Sequence, residues 1–240
     1  MKNLNIIAVV CIVALSIIFG SCIGFLPVMG NGELVTTQKS VSAFDKIDLA
    51  GNAEVRFIKS AEEKILVTVD SNLENFTEIV VRGDKLIIGT KFGIFNFTKY
   101  LVDIYSPNAL DGVSISGSGK FSSDEIINAS QFDTVVSGSG SITVSLECEE
   151  LSAVISGSGS MNITGTAENL ELEISGSGKF DGFDFIVEDA DVEISGSGKA
   201  NIHVTESLDA VITGSGEINY RGNPSDVDDR ITGLGDINRL

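Results

Sequence analysis

The chain has no tryptophan, a single histidine (His203), three cysteines and three prolines in 240 residues. One histidine excludes every His-rich metal site and leaves one candidate for any Ser/His or Cys/His pair. Three cysteines exclude a disulfide-stapled scaffold. Basic side chains are scarce, 16 against 34 acidic ones, for a net charge of −18. Phosphate binding needs clustered Lys and Arg, so nucleic acid is excluded as a partner. No segment shows a 3.6-residue apolar period with helix caps. What is abundant is glycine, 26 residues, and apolar side chains, 42% of the chain. That is enough for the core of one or two domains.

Lys2 is the only charge before Glu33, and Ile6 to Phe19 is almost entirely apolar. A basic start followed by such a run is the plan of a secretory signal peptide. Phe19-Gly20-Ser21-Cys22 resembles the prokaryotic lipobox, which implies cleavage before Cys22 and its acylation. Residues 1–21 are then a lipoprotein signal peptide, Cys22 the lipid attachment site and 22–34 a tether. The alternative is an uncleaved membrane helix, since residues 6–29 carry no charge and are long enough to span a bilayer. Either way the N-terminal lipid or helix holds the chain at a membrane and the remainder is extracytoplasmic. Cys148 is left as a free thiol. Its neighbours Glu147, Glu149 and Glu150 disfavour a thiolate, so it reads as a small hydrophobe.

Beyond residue 110 the chain repeats. Gly-Ser-Gly occurs at 117–119, 138–140, 157–159, 176–178, 196–198 and 214–216, with Gly233-Leu234-Gly235 as a seventh copy. A period near 19 marks a solenoid. Ahead of each motif stands an apolar residue: Ile115, Val136, Ile155, Ile174, Ile194, Ile212 and Ile231. A hydroxyl follows it: Ser116, Ser137, Ser156, Ser175, Ser195, Thr213 and Thr232. Period-two alternation rich in Ile and Val predicts strands. Each period reads as strand, glycine corner, strand, polar corner and a short third segment. An antiparallel meander would need a second tight turn per period, and ECEEL, TAENL and TESL hold no such signal. The expected fold is all-β, a single-stranded parallel β-helix with coils of about 19 residues, over 35–240.

Within it, 111–240 forms the regular coils, and 35–110 is expected to hold larger, irregular coils of the same kind and a cap. Strands are expected at Ile65–Val69, Ile79–Val81, Leu86–Ile88 and Leu101–Tyr105. Phe92, Phe95, Phe97 and Tyr100 are expected as core or as a cap over the first regular coil, because a solenoid end must be covered. An exposed aromatic binding platform is the alternative.

Three stretches carry a family resemblance: Phe44-Asp45-Lys46-Ile47-Asp48-Leu49, the repeated Ile-Ser-Gly-Ser-Gly, and the closing Tyr220-Arg221-Gly222-Asn223-Pro224. They resemble the bacterial and archaeal "putative auto-transporter adhesin, head GIN domain" proteins. The resemblance spans about residues 35–240. It implies a right-handed single-stranded β-helix, an extracytoplasmic location and an adhesin-like role, and it brings no catalytic residues.

Catalytic constellations are absent by the same reading. The positions after each motif (Lys120, Ser141, Ser160, Lys179, Lys199, Glu217, Asp236) form no acidic calcium ladder. The dense acidic stretch with Asp181, Asp184 and Asp189 is a weak candidate for cation binding. Coils this short build no walls for a carboxylate pair to work across a cleft. Lys120, Lys179 and Lys199 read as surface charges, and His203 falls on the outward register between Ile202 and Val204. No Lys-Ser/Thr follows the glycines, so they are not phosphate loops. The expectation is a non-catalytic surface protein without cofactor, binding an extracellular glycan or protein. A glycan-binding or carbohydrate-active β-helix is the alternative.

Overall fold

The computed structural model describes residues 27–91, 93 and 95–240. Cys22, the signal segment and Phe92 lie outside the described residues. The N-terminal strands are β1 (Val28–Met29), β2 (Leu34–Lys39), β3 (Lys46–Gly51), β4 (Glu54–Lys59), β5 (Lys64–Asp70), β6 (Thr77–Arg82), β7 (Lys85–Thr90), β8 (Phe95–Asn96) and β9 (Tyr100–Ser106). Then follow β10 (Gly112–Gly117), β11 (Lys120–Gly138), β12 (Ser141–Gly157), β13 (Ser160–Gly176), β14 (Lys179–Gly196) and β15 (Lys199–Gly214). The chain closes with β16 (Glu217–Arg221), β17 (Asp226–Gly233) and β18 (Asp236–Arg239). Among the described residues no helix is long and apolar enough to cross a membrane.

The architecture is a parallel β-solenoid. Each of β11 to β14 pairs in parallel with the next long strand, as does β15 with β16 and β17. The register stacks Leu49, Ile115, Val136, Ile155, Ile174, Ile194, Ile212 and Ile231 in one row. All but Ile231 are at most 1% exposed, each worth roughly 1.5–3 kcal/mol of burial. A second row holds Val55, Phe121, Ile142, Met161, Phe180, Ala200 and Ile218, also buried. The inside–outside phase therefore follows the alternation. The three expected segments per period are instead one nearly continuous strand of 16–19 residues, interrupted at the motif. At the polar corner the ladder skips Ser130, Glu149, Glu168 and Glu188 and shifts register between β14 and β15, while the residues on either side pair with the coils above and below.

The two glycines of each motif have different jobs. The first takes positive φ, +115° at Gly157. A Cβ there would stand 2.7 Å from the Gly138 carbonyl oxygen. The second lies against the ladder: a Cβ at Gly140 would stand 2.6 Å from Ile115 Cγ2. Between them the serine N–H continues the coil-to-coil bonding, as Ser158 N–H donates to the Gly138 carbonyl at 2.8 Å.

The N-terminal region departs from coils of one kind. β3 and β4 form a first coil on β10 and β11, and β7 and β9 extend it in parallel. β6 runs antiparallel to β7, β5 antiparallel to β9, and β2 antiparallel to β5. The Gly83-Asp84 turn, with Gly83 at φ +67°, reverses the chain between β6 and β7. These antiparallel strands cover one end of the stack. Within the expected tether, Val28–Met29 pairs in parallel with β8, so these two residues are strand and not part of a membrane helix. At the other end β17 and β18 are the last rungs. There Val227 and Ile231 are 40% and 42% exposed. Asp229 enters the row held by Val113, Thr134, Ala153, Leu172, Val192 and Ala210.

One carboxylate ties the cap together. Asp70 is fully buried and accepts hydrogen bonds from the N–H groups of Gly32 (2.8 Å) and Thr98 (2.7 Å). Burial pushes its carboxyl pKa up, but hydrogen bonds from the Thr98 side chain and from the backbone N–H groups of Gly32, Thr98 and Lys99 outweigh it, so the net shift is down. The stabilisation it confers is thus present above the ordinary carboxylate range and lost as pH falls below that range, through the lowered folded value. Acid titration followed by amide exchange is expected to show Gly32 and Thr98 losing protection before the central coils. In Asp70→Asn that early acid phase is expected to vanish; its persistence would assign the phase to another group.

Candidate functional site

Three outward surfaces distinguish the solenoid. The first is the hydroxyl row Ser116, Ser137, Ser156, Ser175, Ser195, Thr213 and Thr232, exposed and in register. The second is an amide ladder. Asn219 Nδ2 donates to Asn201 Oδ1 at 3.2 Å, and Asn238 Nδ2 to Asn219 Oδ1 at 3.2 Å. Asn201 and Asn219 are buried by this stacking, which satisfies their amides in place of water.

The third surface is acidic. Glu171, Asp191, Asp209 and Asp228 stand in register on four consecutive coils, all exposed, at the ~4.8 Å spacing of parallel strands. Glu150 and Asp189 flank this row two positions along the chain, and Glu173 and Glu193 flank it on the other side. A shallow groove of about 530 Å³ runs over it, lined by Glu150, Asn169, Glu171, Asp189, Asp191 and Asp209. Partial burial, then the neighbouring Asp209 and Glu193 charges, push the Asp191 carboxyl pKa up. Like charges stacked directly across strands are destabilising.

The sequence-predicted residues fall as follows. Asp189 lines the acidic groove, whereas Asp181 lies on the amide ladder, in register with Asn201. Among the described residues no three His, Cys, Asp or Glu side chains gather around a point that could hold a metal ion, so Asp181, Asp184 and Asp189 are not brought together. Lys120, Lys179 and Lys199 do share one row, and Lys199 Nζ reaches Glu217 at 3.0 Å. His203 faces outward between buried Ile202 and Val204, in register with Ile186 and Arg221. Cys148 is half-buried against the core, and burial raises its thiol pKa to about 11. Desolvation, not the flanking glutamates, is the cause. Tyr100 is buried, donating its hydroxyl to the Gly89 carbonyl at 2.6 Å, and Phe97 packs on it with centroids 4.8 Å apart. That part of the aromatic cluster is core.

The stacked glycine corners and the residues before them coincide with a family model described as "Putative auto-transporter adhesin, head GIN domain", which matches residues 43–224. The chain belongs to this family. Solved structures agree. A putative adhesin from Bacteroides fragilis superposes with a TM-score of 0.83 at 24% identity, covering 89% of this chain and 100% of the other. A putative adhesin from Parabacteroides merdae gives 0.72 at 27%, over 89% and 98% of the two chains. A putative lipid binding protein from Parabacteroides distasonis gives 0.74 at 26%, over 90% and 100%. No curated protein matches the chain. The head GIN domain family and its structural neighbours thus carry adhesin or lipid-binding descriptions.

The acidic row was missed by sequence reasoning although its signal is simple. Glu171, Asp191, Asp209 and Asp228 each stand five residues before the first glycine of a motif. The position after the motif, where a calcium ladder would stand, carries no such row.

Proposed function

We propose that this protein is a non-catalytic, envelope-anchored adhesin whose acidic groove binds a basic surface on an extracellular protein. The observation that carries this is the in-register stack of Glu171, Asp191, Asp209 and Asp228. Folding does not need it, since Ser152 fills the same row one coil earlier, and the repulsion is a local cost. Local conflicts of this kind mark functional surfaces. A cationic partner relieves the repulsion on binding, and a rigid rod suits weak contacts multiplied by avidity. The N-terminal segment, with Cys22 as lipid attachment site or the apolar run as a helix, holds the rod at the envelope.

The test is an array of matrix proteins and glycans probed with the purified chain at low and high salt. Binding is expected on basic proteins and to weaken with ionic strength. The triple variant Glu171→Gln, Asp191→Asn, Asp209→Asn is expected to lose roughly tenfold or more in affinity, at about 0.5–1 kcal/mol per charge. Unchanged binding by that variant would remove the groove from the reading. Salt-insensitive glycan binding, or turnover of a polysaccharide, would promote the carbohydrate-active alternative.

A further inference from the structure

The end of the solenoid nearest the anchor carries a patch of apolar side chains that are exposed among the described residues. Val28 and Met29 are 45% and 57% exposed, and Phe76 is 38% exposed. Val28 and Phe76 meet through Phe95, while Met29 stands on the other face of the β1–β8 ribbon beside Asn96. Val28 pairs with Phe95, whose ring lies 4.8 Å from that of Phe76. From Phe95 the aromatic contacts run inward through Phe97 to buried Tyr100. The patch is therefore the outer end of a packed aromatic stack, held in place from within.

Two observations say what covers it. The first is reach. Val28 follows Cys22 by six residues, at most about 20 Å of extended chain. A chain anchored at Cys22, or by the apolar run just before Val28, cannot carry this patch far from the bilayer. The second is charge. Residues 27–110 hold 11 acidic and 9 basic side chains, whereas residues 111–240 hold 23 and 6. Nearly all the net negative charge lies in the regular coils, away from the patch. An anionic lipid surface repels those coils and tolerates the near-neutral cap.

We propose that Val28, Phe76 and Phe95 form a membrane-contacting foot that seats the cap on the lipid bilayer and stands the acidic shaft away from it. Aromatic and apolar side chains settle at the headgroup boundary, which gives the foot its affinity. This rests on the envelope anchoring stated above, and the experiment separates the two.

The chain has no tryptophan, so Phe76→Trp and Val28→Trp each install a single reporter on an already exposed position. Leu234→Trp places one on the last coil, at an 86% exposed residue. The row from Leu49 to Ile231 alone separates the ends by seven strand spacings, roughly 34 Å. Full-length, membrane-extracted protein is reconstituted into phosphatidylcholine vesicles with and without brominated acyl chains. Flotation reads the anchoring; quenching reads the seating. The expected result is flotation of all three variants, with most emission lost from Phe76→Trp and Val28→Trp and none from Leu234→Trp. Flotation without quenching of the cap reporters overturns the foot and shows the patch covered by another segment or a second copy. Equal quenching at all three positions overturns the upright seating. Absence of flotation overturns the anchoring, and the foot with it.

Discussion

Ile174→Asp is expected to abolish cooperative unfolding of the central coils. Ile174 is fully buried between Ile155 and Ile194 in the same row. Losing its burial costs roughly 1.5–3 kcal/mol. An unpaired carboxylate adds several kcal/mol more, reduced only if the group protonates. Domains are stable by about 5–15 kcal/mol in total, so the variant sits at or below the threshold. Amide exchange across β12 to β14 is expected to rise towards the unfolded limit, while Ile174→Val costs about 0.5–1.5 kcal/mol and stays cooperative. A wild-type thermal midpoint for Ile174→Asp would mean that the row faces water.

The second large effect is expected at the corner. Gly176 has φ +115°, and a Cβ there would stand 2.7 Å from the Gly157 carbonyl oxygen. Gly176→Val combines backbone strain of about 1–3 kcal/mol with overpacking of about 1–3 kcal/mol. A loss of roughly 2–6 kcal/mol in denaturant unfolding is expected from the two. The neighbouring Ser177 is exposed, and Ser177→Ala is expected to stay within about 0.5 kcal/mol. Equal tolerance at both positions would show that the corner does not depend on glycine. The prediction separates the two glycines, which the stack requires, from the serine between them, which contributes its backbone.

The same residues explain what could be read beforehand. A strict two-residue alternation and a motif that recurs every 18–21 residues specify which side chains face inward and which coil neighbours they meet. Ile155, Ile174 and Ile194 were legible for that reason. Strand direction was legible in the regular coils from the missing second turn, but not over 35–110, because alternation is identical in parallel and antiparallel strands. β5, β6, β7 and β9 were each expected as strands, yet only the Gly83-Asp84 pair hinted that β6 and β7 form a hairpin. The acidic row was hidden by unequal coil lengths. Asp191 lies 20 residues after Glu171, Asp209 lies 18 after Asp191, and only counting from each glycine aligns them.

The coil-on-coil stacking has a mechanical consequence. A pull between Val28 and the last coil does not load the rungs together. It peels β17 and β18 first, then β15 and β16, one coil after another. Resistance at any instant is set by the hydrogen bonds of the rung being opened, while each released coil pays out about 65 Å of chain from its roughly 19 residues. The same tension acts in series on the N-terminal strands at the opposite end, where the chain is held. Such a rod yields by lengthening at a nearly constant force, which turns an abrupt tug on a bound partner into extension rather than detachment.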